Sequence, residues 1–286
     1  MSYTKSVGWA ALSFLSVTPA LFGTSFTFSD FSNPLGLTMV GNASLTANRL
    51  RLTEAAENQV SAVWLNSRAD VQNGFTTSFQ FQITDRGGHS PDWEEGVVND
   101  GADGFTFTIQ NAGTTAMGLY ASGIGYYGIA NSLSIEFDTW NNKPSYCEPN
   151  GNHIAVQSLG TAANQPEHCP GPGSATLGIA SPVLDMSNGT IYNVMIAYLP
   201  GALSVYFNDM STPLLTVAVN LGTLLDLENG RDAFIGFTSS TGGAFENHDI
   251  IQWSYSGVPE PGTMLLTGGA LMLISAVRIN GRRRGC

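Results

Sequence analysis

Short runs in which β-branched and aromatic residues alternate with polar ones recur along the chain. They include TTSFQFQIT, GFTFTIQN, SLSIEFDTW, HIAVQSL, IYNVMIAYL, ALSVYFND, LLTVAVNL, AFIGFTSS and IIQWSYSG. A period of two gives an extended strand two chemically distinct faces, and each run is bounded by Gly, Asn, Asp, Ser or Pro. The pattern predicts many strands at short spacing. Pro200 and Gly201, within LPGALSV, mark a hairpin between two of them. Only LGTLLDLENGR suggests a turn or short helix. No charge run, internal repeat or linker interrupts the body, so residues 24–257 read as a single all-β domain, either a β-sandwich or a barrel.

Composition agrees with this reading, because only 12% of the residues are charged, too few for a set of amphipathic helices. The formal net charge is −11. Without the two ends, the body carries 21 acidic against 6 basic residues. Such a surface repels phosphate backbones, which argues against nucleic acid as a partner and suits divalent cations.

The ends read as addresses. Lys5 precedes an apolar stretch from Val7 to Phe22, with small residues at Ala20 and Gly23; this is the pattern of a signal peptide over residues 1–23, a buried first strand being the other reading. At the far end, residues 258–286 hold a Pro-Glu-Pro turn, an apolar run from Thr263 to Val277 and an Arg cluster. This tripartite order resembles the PEP-CTERM sorting signal of Gram-negative bacteria. The resemblance implies export, transient membrane association through the tail, processing by an exosortase-type enzyme, and a final place at the cell surface or in the extracellular matrix. Cys286 would leave with the tail, so Cys147 and Cys169 remain as an even pair in an oxidising compartment. A disulfide between them is expected, stabilising the loop that it closes by about 3 kcal/mol.

The densest chemistry lies in IEFDTWNNKPSYCEPNGNH. On a strand, Glu136 and Asp138 project from one face while Phe137 packs on the other. Two adjacent carboxylates repel each other, and a cation is the simplest relief. Asn142, Glu148 and His153 follow within reach as further donors. Oxygen ligands suit Ca²⁺, and a carboxylate-rich set with one imidazole suits Mn²⁺ or a related ion. A polar surface loop with incidental acids is the bland alternative.

Four blocks resemble the L-type (legume-like) lectins: SLTANRLRLTEAAENQVSAVWLNSRADVQNGFTTSFQFQIT, DGADGFTFTIQN, the acidic stretch just quoted, and AFIGFTSSTGGAFENHDIIQWSYS. They cover most of residues 26–256 in the family's order. The resemblance implies a concanavalin-like jelly-roll β-sandwich that binds carbohydrate and is not an enzyme. It implies Glu136, Asp138, Glu148 and His153 as ligands of a transition ion, Mn²⁺ above all. For Ca²⁺ it implies Asp138, Asn142, Glu148 and the backbone carbonyl of Trp140. The family usually has Asp where Glu148 stands. The sugar contacts implied are Asp103, Gly125, Trp140, Asn142, Gly243 and Ala244, with a cis peptide between Ala102 and Asp103.

Two other readings stand beside this one. Laminarinase-like glycoside hydrolases also carry Glu-x-Asp on a strand, but they need a further acid at short range, and Thr139, Trp140, Asn141 and Asn142 follow Asp138 here. A surface or matrix protein could keep the sandwich and bind no sugar. His248 and Asp249 are expected to hold a strand entry, and His89 and His168 fit no pattern.

Overall fold

The structure, a computed structural model, describes residues 24–88 and 101–258. The expected signal peptide, the sorting tail and His89 lie outside the described residues. Two sheets, each of eight strands, account for the architecture, and every strand pair is antiparallel. Strands are numbered β1 to β16 along the chain.

The first sheet runs in the order β14 (Leu215–Val217), β13 (Ala202–Phe207), β12 (Ile191–Leu199), β7 (Phe75–Gly88), β16 (Ala244–Gly257), β4 (Arg49–Thr53) and β3 (Ser44–Thr46), with β1 (Ser25–Phe28) also paired to β16. The second runs β11 (Thr176–Ala180), β10 (His153–Gln157), β9 (Ser132–Asp138), β8 (Gly104–Gln110), β15 (Asp232–Ser240), β5 (Val60–Leu65) and β2 (Leu37–Gly41), with β6 (Ala69–Asp70) against β15. This is the expected all-β sandwich rather than a closed barrel. Each of the nine runs picked out by alternation contains a strand, although LLTVAVNL contributes only Leu215–Val217. Leu199 pairs with Ala202 across the Pro200–Gly201 hairpin, where Gly201 adopts φ +106°. The short helix forms at Leu221–Leu224, where the Asn220 side chain accepts from Gly222 N at 3.1 Å as an N-cap.

Phenylalanines join the sheets. Phe79 on β7 lies 5.2 to 6.3 Å, ring centre to ring centre, from Phe105, Phe107, Phe137 and Phe237 on the opposing sheet. Three of the four contacts are edge-on, the arrangement favoured by ring quadrupoles.

Strands β8 and β9 are buried along their whole length. Phe105, Phe107 and Ile109 face the core; Thr106, Thr108 and Gln110 face the other way and are still fully buried. The cover is the 111–131 segment, whose Ile124, Tyr126 and Ile129 form a second small core with Ala62 and Trp64. Hydroxyls bond this cover to the sheet: Thr238 Oγ1 donates to Ile124 O and Ser240 Oγ to Ala121 O, each at 2.7 Å. Buried hydroxyls need such partners.

Truncating the central ring tests this account of the core. Phe79→Ala is expected to cost about 3–5 kcal/mol in urea unfolding, whereas Leu45→Ala on the exposed edge strand β3 should stay within about 0.5 kcal/mol. Similar losses at the two positions would contradict it.

Candidate functional site

Strand β9 delivers two carboxylates to one spot. Phe137 points into the core and stacks on Phe105, with ring centres 4.8 Å apart, so Glu136 and Asp138 project from the opposite face. Strand β10 returns beside them, with His153 opposite Asp138 and Ala155 opposite Glu136. On the other side Gly104 of β8 pairs with Asp138. Gly104 adopts φ +119°, and a Cβ there would sit 2.2 Å from Phe137 O, so only glycine fits.

The 139–152 connection folds back over this end of the sheet. Trp140 N donates to Asp138 Oδ1 at 2.8 Å, and Asn142 N donates to Glu148 Oε2. Glu148, the residue with one methylene more than the family's usual Asp, is buried, and its charge acts on Glu136, Asp138 and Asp103. Its longer side chain therefore still reaches the cluster. The expected disulfide is present: Cys147 and Cys169 are bonded at an S–S distance of 2.05 Å across a separation of 22 residues. It lies beside a backbone bond from His168 N to Tyr146 O at 2.8 Å.

Burial and mutual repulsion dominate the electrostatics. Desolvation, then like charge, pushes Glu136 up to about 8 and holds Asp138 and Asp103 well above the usual carboxylate range. Desolvation lifts Glu148 to about 7 against an opposing hydrogen bond from Asn142 N and the charge of Lys143. It also drives His153 down to about 4 and His168 down to about 3, so both imidazoles are neutral at pH 7. Asp103 Oδ2, Asn141 Oδ1 and Gln157 Oε1 are buried without a hydrogen-bond partner. Crowded carboxylates, neutral imidazoles and orphaned carbonyl oxygens form a donor set complementary to divalent cations.

Of the four residues implied for a transition ion, Glu136 and His153 lie together, and His168 joins them. The ligand atoms of Glu136, His153 and His168 lie within 4.8 Å of one another. His153 Nε2 is 3.2 Å from His168 Nε2, which is 3.5 Å from Glu136 Oε2. Asp138 and Glu148, expected on the same ion, are not part of this triangle; their charges couple them to each other and to Asp103. Trp140 and Asn142 are half-buried at the rim.

The implied sugar-contact residues converge only in part. The Ala102–Asp103 peptide is cis. Asp103 N donates to Ser240 O at 3.0 Å, and its Oδ2 lies 3.5 Å from where a Cβ on Gly242 would stand. Gly243 and Ala244 continue that turn, and Gly242 N donates to Ala244 O at 3.1 Å. Gly125, implied as a sugar contact, lies inside the covering segment, where its N–H is engaged by Leu119 O at 2.9 Å. A Cβ at Gly125 would stand 2.9 Å from the carbonyl oxygens of Ser239 and Ser61, so the glycine serves close packing against the sheet.

Three participants escaped the reading by spacing. Tyr126 donates its hydroxyl to Glu136 Oε1. Glu246 on β16 accepts from Thr139 Oγ1, sits 3.3 Å from His248 Nε2, and leaves Oε2 buried without a partner beside Asp103. Its two-residue spacing from His248 was the available signal. His168 was signalled only by its position next to Cys169. His248 and Asp249, expected at a strand entry, instead lie inside β16, at a register shift against β4, and are structural there: His248 Nδ1 lies 2.6 Å from Thr53 Oγ1, and Asp249 takes a bidentate pair from Arg51 at 2.8 and 2.9 Å.

A family profile described as the legume lectin beta-barrel domain matches residues 27–253. The chain belongs to the L-type lectin family. A lectin of Pisum sativum is 26% identical over 257 residues, spanning 81% of this chain and 82% of the pea protein. A probable L-type lectin-domain containing receptor kinase VII.2 of Arabidopsis thaliana is 25% identical over 82% of this chain but only 35% of that longer protein. Among solved structures, a lectin from Bauhinia forficata in complex with GalNAc superposes with a TM-score of 0.64 at 21% identity, covering 83% of this chain and 99% of that one. The exoplasmic/lumenal domain of VIP36 in its Ca²⁺/Man-bound form gives a TM-score of 0.56 at 17% identity, covering 78% and 83%. The domain matched here is that of the lectins, which are carbohydrate-binding proteins and not enzymes.

Ligand exchange at this L-type site can be followed through its protons. With Glu136 near 8 and Glu148 near 7, the cluster holds protons at pH 7, and an ion bound there would displace at least about one per chain. Calorimetric titration with Ca²⁺ and Mn²⁺ in buffers of different ionisation enthalpy should show this release, decreasing as the pH rises from 7 to 8 and Glu148 and then Glu136 lose their protons. Heats independent of the buffer at pH 7 would contradict the assignment.

Proposed function

We propose that this L-type lectin binds carbohydrate at the end of the sandwich where Asp103, the Gly242–Ala244 turn and the 139–152 segment meet, and that divalent ions hold those segments in place. Asp103 carries the proposal. Its Oδ2 is buried without a partner, next to a glycine turn and the acidic cluster. A carboxylate in that position accepts two hydrogen bonds from neighbouring sugar hydroxyls. Asn142 supplies amide donors, and the half-buried Trp140 offers a flat face to the C–H side of a pyranose ring.

The donor set fits two ions. Glu136 and His153 belong to the transition-ion position, while Asp138, Asn142, Glu148 and the Trp140 carbonyl belong to Ca²⁺. When bound, the ions neutralise the carboxylates that otherwise repel one another. The chain's own residues do the positioning: Glu148 ties down Asn142 N, Asp138 ties down Trp140 N, and Thr139 N holds the Asp103 carbonyl at 3.1 Å. Mn²⁺ is the transition ion that the family pattern suggests, and a bacterial exopolysaccharide or cell-surface glycan is the proposed target.

A second reading, a matrix or surface protein that binds no sugar, is favoured by two observations: the Gly125 N–H is engaged, and Glu246 crowds Asp103 with a second carboxylate.

Glycan-array binding separates the two. Asp103→Ala should abolish binding while leaving the far-ultraviolet circular dichroism unchanged, and EDTA should remove glycan binding before it unfolds the domain. Binding that survives verified metal removal would defeat the ion-dependent mechanism. Export is part of the same proposal: the intact mass of protein recovered from the cell surface should match a chain lacking both ends, near residues 24 to 258. A mass that includes the Arg cluster would refute tail removal.

A further inference from the structure

The transition-ion position differs in one respect from a site made of β9 and β10 alone, because His168 enters it from the disulfide-tied segment. We propose that His168 is a direct ligand and that Glu136, His153 and His168 form a two-imidazole, one-carboxylate centre for a borderline ion such as Zn²⁺. This rests on the reading that the cluster holds ions, not on the reading that the protein binds sugar.

Distances support it first. Around an ion with ligands at 2.0–2.1 Å, the edge of a tetrahedron is about 3.3–3.4 Å. The two observed edges, 3.2 Å between the histidine Nε2 atoms and 3.5 Å from His168 Nε2 to Glu136 Oε2, bracket that value.

Each ligand is also oriented from behind, as metal ligands are. His153 Nδ1 lies 2.8 Å from Asn150 O, a pure acceptor, so this nitrogen carries the proton and Nε2 offers its lone pair inward. Glu136 Oε1 is held by the Tyr126 hydroxyl, leaving Oε2 for the centre. His168 Nδ1 lies 2.9 Å from the Gln157 amide and 3.2 Å from Thr176 Oγ1. Gln157 Oε1 is buried without a partner. Turning that amide over lets Oε1 accept from His168 Nδ1–H and frees His168 Nε2 to ligate; it gives up the 3.4 Å contact of the amide nitrogen with Glu136 Oε2, the oxygen that an ion would then take.

The segment is fixed to make this contact. The backbone bond from His168 N to Tyr146 O and the Cys147–Cys169 disulfide are adjacent cross-links that tie His168 to the 139–152 connection, and its ring meets His153 and Gln157 of β10. His168 is buried, among residues that are mostly polar. Two imidazoles in place of carboxylate oxygens move the ligand set away from the hard oxygen donors that suit Mn²⁺. Zn²⁺ exceeds Mn²⁺ in affinity at most N/O sites, so preference alone does not decide the matter; its dependence on His168 does.

The test loads the metal-free protein from a mixture with equal Zn²⁺ and Mn²⁺ and excess Ca²⁺, then measures bound metals by mass spectrometry. About one zinc per chain is expected, with zinc-edge X-ray absorption showing two imidazoles. His168→Ala should lower zinc affinity by more than the ~10- to 100-fold that loss of an outer-shell partner costs, with Ca²⁺ content and circular dichroism unchanged. His168→Gln, which keeps size and polarity, should show the same loss. Zinc retained at wild-type affinity in both variants, or one imidazole in the absorption spectrum, would overturn the proposal and leave Ca²⁺ binding intact. A protein that binds neither Ca²⁺ nor a transition ion would overturn this inference together with the metal reading beneath it.

Discussion

Like charges forced together at one end of a sheet are the constraint on which the rest depends. Glu136, Asp138 and Glu148 are brought close by the strand period, by the β9–β10 register and by the return of the connecting loop. Asp103 and Glu246 arrive from two other strand ends and enlarge the cluster. All five are buried. A fold does not carry such a charge density without compensation. Here the compensation within the chain is partial, through hydrogen bonds from Tyr126, Thr139 and two backbone amides. The remainder is the chemical demand that divalent ions would meet.

The sandwich supplies a rigid platform for that demand. Phenylalanines on both sheets lock β8 and β9 from below. The 111–131 segment locks the same strands from above, through buried hydroxyls and a small apolar cluster. Strands held on both faces cannot shift register without moving a core ring or a buried hydroxyl. The carboxylates on β9 are therefore fixed by packing, and only the loops around them are left for a ligand to order.

Much of this was legible along the chain. Alternation located the long strands because one of their faces meets the core, and the wide burial pattern of β7, β12 and β13 preserves that period. Short elements such as β3 and β11, which lie at sheet edges with no fully buried residue, left a weaker pattern and were not picked out. The second burial layer was also hidden, since Thr106 and Thr108 look like solvent-facing positions until a distant loop covers them. At the site, residues on one strand and its neighbour were readable from spacing. His168 was not, because its approach to His153 depends on a disulfide and one backbone bond rather than on any period. Glu246 was missed for a related reason: its partner Asp103 lies on a different strand end, so no local pattern links them.

The claim that ions clamp neighbouring loops on a preformed sandwich is tested most directly by hydrogen exchange of the protein with and without bound divalent ions. Loading should slow exchange in residues 101–104 and 139–152 and leave the core strands β7, β8 and β9 unchanged. Equal protection of those loops in the metal-free protein, or a change spread evenly over both sheets, would contradict the account.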